Sequence, residues 1–238
     1  MSTTFFYHPA AAVEQCVEFD PSEATHISKA LRMKSGDFIE LTNGRGELFN
    51  AELIIEKHRV SAAVRKLILS NDGAVPLHLA IAPTKNADRI EWLVEKAIEL
   101  GVGEISLIHC KHSERARLST DRLQRVSISA LKQSRRTFLP NIHDVANFES
   151  WLSGINTQQR FIAHCIEHLP RVLLRDAIRR ESSVCIAIGP EGDFSESEIE
   201  QAIKASFQSV SLGSARLRTE TAALAGVHTF NLQNQIAL

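Results

Sequence analysis

Two segments between residues 184 and 230 place charged residues beside glycines where an ordered element ends. The first, Gly189-Pro190-Glu191-Gly192, follows the apolar run Val184 to Ile188 and precedes Ser195 and Glu198, whose spacing is that of a helix capping box. Ligands of open α/β sheets bind at such strand ends, where glycine permits close approach of the backbone and proline stiffens the turn. The glutamate suits a ribose hydroxyl or a cationic ligand. A plain strand-to-helix turn explains this motif equally well when it is taken alone.

The second segment follows a predicted strand, Ser209 to Leu212, that ends at Gly213. It packs two cations and three possible capping residues before an alanine-rich helix: Arg216, Arg218, Thr219, Glu220 and Thr221. We expect Thr219 or Thr221 to cap this helix, with Glu220 in its first turn. A capped surface helix leaves the arginines unexplained, because cations beside a helix start oppose its dipole. The arginines therefore suggest an anionic partner.

Composition excludes several other classes of site and protein. The sequence has neither a phosphate-binding G-x-x-x-x-G-K-[ST] motif nor G-x-G-x-x-G. Its four widely spaced cysteines and its lack of a secretory signal pattern favour a reduced, cytoplasmic protein. The formal charge of −1 makes any nucleic-acid site a local patch. His109, Cys110 and His112, with a similar group at His164 to His168, have no metal-ligand spacing, so we expect no metal.

The elements that position these segments fall into two parts. The first part is β-rich: strand-like runs flank Asn43-Gly44, a third run follows at 59–69, and a short helix is expected over 23–37, ended by Gly36. Short strands with hairpin turns predict a small barrel or sandwich. Turn-forming residues at Ser70 to Pro76 mark the boundary, so we predict domains at 1–72 and 73–238.

The second part alternates strands with helices. Apolar runs of strand length occur at Leu77–Ala82, Ile105–Ile108, Phe161–Cys165, Val184–Ile188 and Ser209–Leu212. Helical spacing over 88–101 aligns Ile90, Leu93, Val94, Ala97 and Ile98, and a second helix is predicted around Leu123 to Leu131. This order predicts an α/β fold with a largely parallel sheet that is covered on both faces.

The motifs resemble those of the SPOUT methyltransferases, and more narrowly the RsmE family, which methylates N3 of a uridine in 16S ribosomal RNA with S-adenosylmethionine. The resemblance is carried by "AIGPEGDFSESEIE" followed by "SLGSARLRTETAAL", and extends to "RIEWLVEKAIELGV" and "KQSRR". The segment "THISKALRMKSGD" and the hairpin after it are similar to the PUA-like barrel that precedes the catalytic domain in this family.

The resemblance implies an α/β-knot, a trefoil-knotted methyltransferase domain behind the PUA-like RNA-binding β-barrel, and a homodimer with its last helix at the interface. It also implies that three loops bind S-adenosylmethionine. Carried onto this sequence, the cofactor-binding residues are His164, Gly189, Pro190, Glu191, Gly192, Leu212, Gly213, Leu217, Thr219, Thr221 and Ala222.

The sequence departs from the family pattern at three positions. Lys132 stands where the family often has an acid, and Ala215 where it has an arginine that the adjacent Arg216 can replace. Asp193 follows Gly192 where a glycine is frequent. These departures affect individual side-chain roles more than the family assignment.

Methylation of uracil N3 requires loss of its proton and stabilisation of the resulting anion. Arg218 is the expected cation, and Glu220 is the weaker candidate for the general base, because it can also cap the helix or pair with an arginine. Basic residues form two further candidate patches, which a solvated surface also explains. The predicted RNA-binding residues are His26, Lys29, Arg32, Lys34, Arg115, Arg125 and Arg136.

The sequence thus predicts uridine-N3 methylation of small-subunit ribosomal RNA, free or assembled. Two alternatives stay open: a related knotted methyltransferase acting on a ribose 2'-hydroxyl or on transfer RNA, and a non-catalytic RNA-binding assembly factor.

Overall fold

The protein is described from a computed structural model over residues 4–57, 59–70 and 77–234. Within these residues, contacts divide the chain into two units. The first unit runs to residue 70 and also contains residues 131–139, and the second contains residues 77–130 and 140–234. The predicted domain boundary between residues 72 and 73 lies outside the described residues.

The first unit is a five-stranded sheet around one core. Its elements are β1 (Phe5–Tyr7), β2 (Cys16–Glu18), α1 (Pro21–Thr25), β3 (Phe38–Thr42), β4 (Glu47–Glu56) and β5 (Arg59–Ser70). The strand order is β1-β3-β4-β5-β2, and every strand contributes to the same buried cluster. Within residues 4–57 and 59–70 no ladder joins β1 to β2, so the predicted barrel is a sheet with two open edges. The predicted hairpin is confirmed, since β3 and β4 pair antiparallel around Asn43 and Gly44.

The predicted helix over 23–37 is wrong at both ends. It starts at Pro21, because the Asp20 carboxylate accepts the amides of Ser22 and Glu23 at 2.8 and 3.0 Å. It then widens into a π-helical turn over His26–Ala30. Arg32, with a φ of 54°, leaves the helical conformation well before Gly36.

Residues 131–139 belong to the first unit through contacts that the sequence pattern does not predict. The Lys132 ammonium lies 2.6 Å from the Glu23 carboxylate, and Arg135 pairs with Glu40. The Gly46 amide donates to the Thr137 carbonyl at 2.9 Å. The departure from the family pattern at Lys132 is therefore matched by an acid within the same unit.

The second unit contains a seven-stranded sheet in which every pairing is parallel. Its order is β10-β12-β9-β11-β6-β7-β8. The strands are β6 (Leu77–Ile81), β7 (Glu104–His109), β8 (Asn141–Asn147), β9 (Gln159–Ala163), β10 (Val172–Leu173), β11 (Val184–Ile188) and β12 (Gln208–Ser211). The helices are α2 (Ala87–Glu99), α3 (Thr120–Ser134), α4 (Phe148–Ser153), α5 (Leu174–Ala177), α6 (Glu196–Lys204) and α7 (Thr219–Asn234). Residues 131–134 of α3 are counted with the first unit.

Helices cover both faces of this sheet, as predicted. On β11, Cys185 and Ala187 join the apolar cluster beneath α4 and α6. Ile186 points to the other face, where Gly226 of α7 lies next to it: a Cβ added at Gly226 would be 3.4 Å from the Ile186 side chain, an ordinary contact distance. This central strand is buried throughout, because both of its faces are covered.

Three predicted strands end earlier than expected, and β6 does so by a single residue, at Ile81. β9 ends at Ala163, so Cys165 is an exposed loop residue and not a strand residue. β12 ends at Ser211, so Leu212 belongs to the loop. β8 and β10 are not predicted from apolar runs, because they are the two outer strands of the sheet, where polar or exposed side chains are tolerated.

Candidate functional site

Three loops meet at one edge of the second unit's sheet. β9, β11 and β12 lie side by side, and Ala163 is in register with Ile188 on one neighbour and with Val210 on the other. Because the strands are parallel, their carboxyl ends lie on the same side of the sheet. The two glycine-containing segments of the sequence are therefore brought together, with the loop after β9 between them.

These loops enclose a cavity of about 520 Å³. The predicted cofactor-binding residues that line it are His164, Gly189, Pro190, Glu191, Leu212, Gly213, Leu217, Thr219 and Ala222. Gly192 and Thr221 are not among the lining residues. Arg218 of the predicted catalytic pair lines the cavity, whereas Glu220 does not.

The turn after β11 needs its glycines because the protein itself fills the space around them. A Cβ on Gly189 would lie 3.1 Å from the Phe194 amide nitrogen, and one on Gly192 would lie 3.0 Å from the His112 Cβ. The predicted capping box is confirmed: Ser195 caps α6, and Glu198 accepts from the Ser195 amide at 2.8 Å. The turn is thus packed against Phe194 and His112.

The loop after β12 changes direction at Gly213, whose φ of 129° favours glycine. The predicted threonine cap is wrong, because α7 begins at Thr219. The Ala222 amide donates to the Arg218 carbonyl at 2.8 Å, so Arg218 occupies the cap position. Arg218 and Arg216 are both exposed at the cavity, beside the amide end of a long helix. This end of the cavity is strongly electropositive.

Glu220 is buried and serves an arginine that the sequence analysis missed. Its Oε1 lies 3.7 Å from Nη1 of Arg89, a residue of the first turn of α2 that lines the cavity. Only 7 % of Glu220 is exposed, so its carboxylate is directed to Arg89 and not to the cavity. The signal for Arg89 was present in the segment "RIEWLVEKAIELGV", which was interpreted only as a helix.

His164 is the most unusual side chain of the site. It is 4 % exposed, and neither ring nitrogen has a hydrogen-bond partner among the described residues. Burial lowers the pKa of His164, Asp193 opposes this shift, and Arg171 adds to it. The imidazole is therefore neutral near pH 7, and it offers one donor and one acceptor to a ligand.

Three more cavity residues come from positions that sequence reasoning did not select. Arg171 donates to the His164 carbonyl at 2.7 Å, and Asp193 accepts from the Cys165 amide at 2.6 Å. Cys165 itself also lines the cavity. Their roles depend on contacts across loops, which residue spacing does not encode.

The predicted RNA-binding residues are distributed over both units. Four of them are exposed on one short segment of the first unit: His26, Lys29, Arg32 and Lys34. Arg125, on α3 in the second unit, and Arg136, in the first unit, are also exposed. Arg115 is half-buried, and its Nη2 donates to the Lys85 carbonyl at 2.6 Å. The Lys85 amide in turn donates to Glu191 at 3.3 Å. Arg115 therefore also supports the turn after β11.

The described residues contain neither a metal-binding group nor a membrane-spanning helix. Across residues 4–57, 59–70 and 77–234, no three histidine, cysteine, aspartate or glutamate side chains are grouped to hold a metal ion. In the same part of the chain, no helix has the length and apolar character needed to span a membrane.

Comparison with known proteins identifies the family. A family model described as an RNA methyltransferase domain matches residues 71–231, and one described as an RNA methyltransferase PUA domain matches residues 19–64. The chain is 29% identical over 211 residues to the ribosomal RNA small subunit methyltransferase E of Buchnera aphidicola, covering 85% of this chain and 82% of that protein.

Solved structures agree with these matches. A probable rRNA-methyltransferase from Porphyromonas gingivalis is 37% identical with a TM-score of 0.87, covering 96% of this chain and 98% of that one. The ribosomal RNA small subunit methyltransferase E of Neisseria gonorrhoeae, solved bound to S-adenosyl methionine, is 28% identical with a TM-score of 0.81, covering 95% of both chains. The chain therefore belongs to a family of RNA methyltransferases, the ribosomal RNA small subunit methyltransferases E.

Proposed function

We propose that this protein transfers a methyl group from S-adenosylmethionine to N3 of a uridine in 16S ribosomal RNA of the small subunit. The observation that carries the proposal is the cavity at the carboxyl ends of β9, β11 and β12. Strand ends of an α/β sheet are where such a fold binds ligands. The relative from Neisseria gonorrhoeae, which shares this fold and family, is described as bound to S-adenosyl methionine.

The cavity fits this cofactor in size and in lining. Its volume of about 520 Å³ lies within the usual range of small-molecule sites. Its walls combine an apolar surface from Leu212, Leu217 and Pro190 with the polar groups of His164 and Glu191. We expect the apolar residues to enclose the nucleoside and the polar groups to fix its orientation. Gly192 and Thr221, which lie outside the lining, would support the loops instead of touching the cofactor.

When bound, the cofactor supplies an electrophilic methyl group, and the protein must orient the uracil in line with it. N3 must lose its proton as the new bond forms, so negative charge develops on the uracil ring. Arg218 is exposed at the cavity and has a guanidinium available to stabilise that charge. Glu220 contacts Arg89, so we assign it to orienting this second guanidinium in preference to the role of general base.

RNA binding is assigned to exposed basic residues of both units. His26, Lys29, Arg32, Lys34 and Arg136 lie on the first unit, and Arg125 lies on α3. Each phosphate that these residues neutralise adds salt-dependent affinity. These residues would hold structured RNA by its backbone while the target base enters the cavity.

Three further properties belong to the same proposal. The second unit forms a trefoil knot, the protein acts as a homodimer with α7 at the interface, and it works in the cytoplasm, where the ribosome is assembled. The support for each is family membership. The alanine and glycine residues of α7, such as Ala222 and Ala225, also suit close helix packing.

Two measurements test the function. Calorimetry with S-adenosylmethionine should give saturable binding, and the absence of binding at high micromolar concentration would favour a non-catalytic assembly factor. Mass spectrometry of digested RNA from a deletion strain should reveal a missing methyl group on a uracil base of 16S RNA. A methyl group missing from ribose, or from transfer RNA, would overturn the assigned substrate.

A further inference from the structure

Asp193 directly follows the Gly189–Gly192 turn with a φ of 63°, in the left-handed region. Aspartate tolerates this region better than most residues, because its short carboxylate can accept hydrogen bonds from nearby backbone amides. Asp193 also lines the cavity, so its carboxylate is a candidate for a task in the site.

The task is visible in its contacts. Oδ2 of Asp193 accepts from the Cys165 amide at 2.6 Å, and Oδ1 accepts from the Phe194 amide at 2.8 Å. The Asp193 amide donates to the Pro190 carbonyl at 2.9 Å, which closes the turn. One carboxylate therefore joins the loop after β9 to the loop after β11. Both loops line the cavity, and so does Asp193.

The bond to Cys165 fixes the residue that precedes it. His164 has its carbonyl held by Arg171 at 2.7 Å on one side, and the next amide along the chain held by Asp193 on the other. Its ring is 4 % exposed, lines the cavity, and has both nitrogens without a partner among the described residues. The backbone around His164 is therefore fixed while its ring is left for a ligand.

The two unpartnered nitrogens define what a ligand must supply. A neutral imidazole needs one donor and one acceptor from its partner. The methyl donor supplies both kinds of group, through the amino, hydroxyl and ring-nitrogen groups of its nucleoside and through its ammonium and carboxylate groups.

We propose that Asp193 is a positioning residue that clamps the loop after β9, so that the ring of His164 is held to bind the methyl donor. The inference rests on the proposed function. It assigns Asp193 no contact with the sulfonium charge, and no proton transfer.

The test compares three single variants and one double variant by calorimetry, with S-adenosylmethionine and its product S-adenosylhomocysteine as probes. D193G keeps the left-handed backbone and removes both acceptors, and D193N keeps an amide oxygen that can accept from Cys165. H164A removes the ring. We expect D193G to weaken both probes about tenfold, D193N to restore most of that loss, and D193G to have little further effect in the H164A background. In turnover, KM for the methyl donor should rise while kcat stays within about twofold, which marks a binding role.

Three results would overturn the assignment. The first is unchanged affinity in D193G, and the second is a D193N variant as weak as D193G. The third is a loss confined to S-adenosylmethionine, because that would place the carboxylate against the sulfonium. Failure of the unmodified protein to bind either probe would instead refute the proposed function, so the two failures are distinguishable. Thermal unfolding of each variant confirms that it is folded.

Discussion

Replacing Arg218 by alanine tests the catalytic part of the proposal with little risk to the fold. Arg218 is exposed, it lies at the cap position of α7, and within the described residues no side chain pairs with its guanidinium. Its charge faces the positive end of the helix dipole, so removing it relieves a small repulsion. The free energy of unfolding should therefore change by less than about 0.5 kcal/mol.

The expected loss of activity follows from the charge that develops on the uracil. A preorganised donor at a developing anion contributes about 3 to 4 kcal/mol, or a factor of about 10² to 10³ in kcat. Arg218 is open to solvent, which weakens its field, so the lower end applies. R218A should accordingly turn over about 100-fold more slowly while its affinity for S-adenosylmethionine stays within about threefold.

The assay is single-turnover methyl transfer to unmodified small subunits, or to their RNA, followed by mass spectrometry of the nucleosides. R180A is the matched control, because Arg180 is also exposed and lies outside the cavity lining. It should behave as the unmodified protein does. A folded R218A variant with a rate within about threefold of the control would refute the role given to this guanidinium.

Four other changes test packing, ionisation and RNA binding. G189A forces a methyl group against the Phe194 amide and should lower the free energy of unfolding by about 1 to 3 kcal/mol in urea, whereas equal stability would contradict the close contact. G226A adds a Cβ at ordinary contact distance within α7 and should raise that free energy by about 0.5 to 1 kcal/mol; a decrease would mean that the helix packs more tightly than described. Burial lowers the pKa of His78 below its usual value of about 6.5, and the nearby Glu104 only partly opposes this shift. The buried neutral imidazole therefore contributes fully to the free energy of unfolding above about pH 6.5, and this contribution is lost as the pH falls through the folded pKa. Urea unfolding of H78Q between pH 7 and pH 5 should therefore show a weaker pH dependence, and an unchanged slope would exclude His78 as its source. R125E should reduce the salt dependence of RNA binding by about one phosphate contact, and an unchanged slope would assign Arg125 to the solvated surface.

The parts of the site that the sequence predicts are those fixed by local physics. The burial of Ile90, Leu93 and Val94 on α2 follows from helical periodicity, and the capping box at Ser195 follows from two residues three apart. Likewise, β11 was assigned correctly because a strand buried on both faces is apolar at every position.

The parts that the sequence does not predict depend on contacts between distant residues. Arg89 lines the cavity with its guanidinium paired to Glu220 of another helix. The early end of β9 at Ala163 is not visible in an apolar run that continues to Cys165, since the amide of Cys165 is bonded to Asp193 and not to a strand. Residues 131–139 join the first unit through Glu23 and Glu40, roughly a hundred positions earlier. Residue spacing carries no record of such pairings.

The parallel pairing of β6 with β11 has a consequence for biosynthesis. Ile81 is in register with Ile188, so roughly a hundred residues must be synthesised after β6 before its second neighbour exists. At about 5 to 20 residues per second, the side of β6 that pairs with β11 stays unpaired for about 5 to 20 s on the ribosome. An unpaired strand edge is a template for aggregation, and β6 is mostly apolar and buried at every position in the folded protein, so nascent chains of this protein should depend on chaperones until β11 emerges.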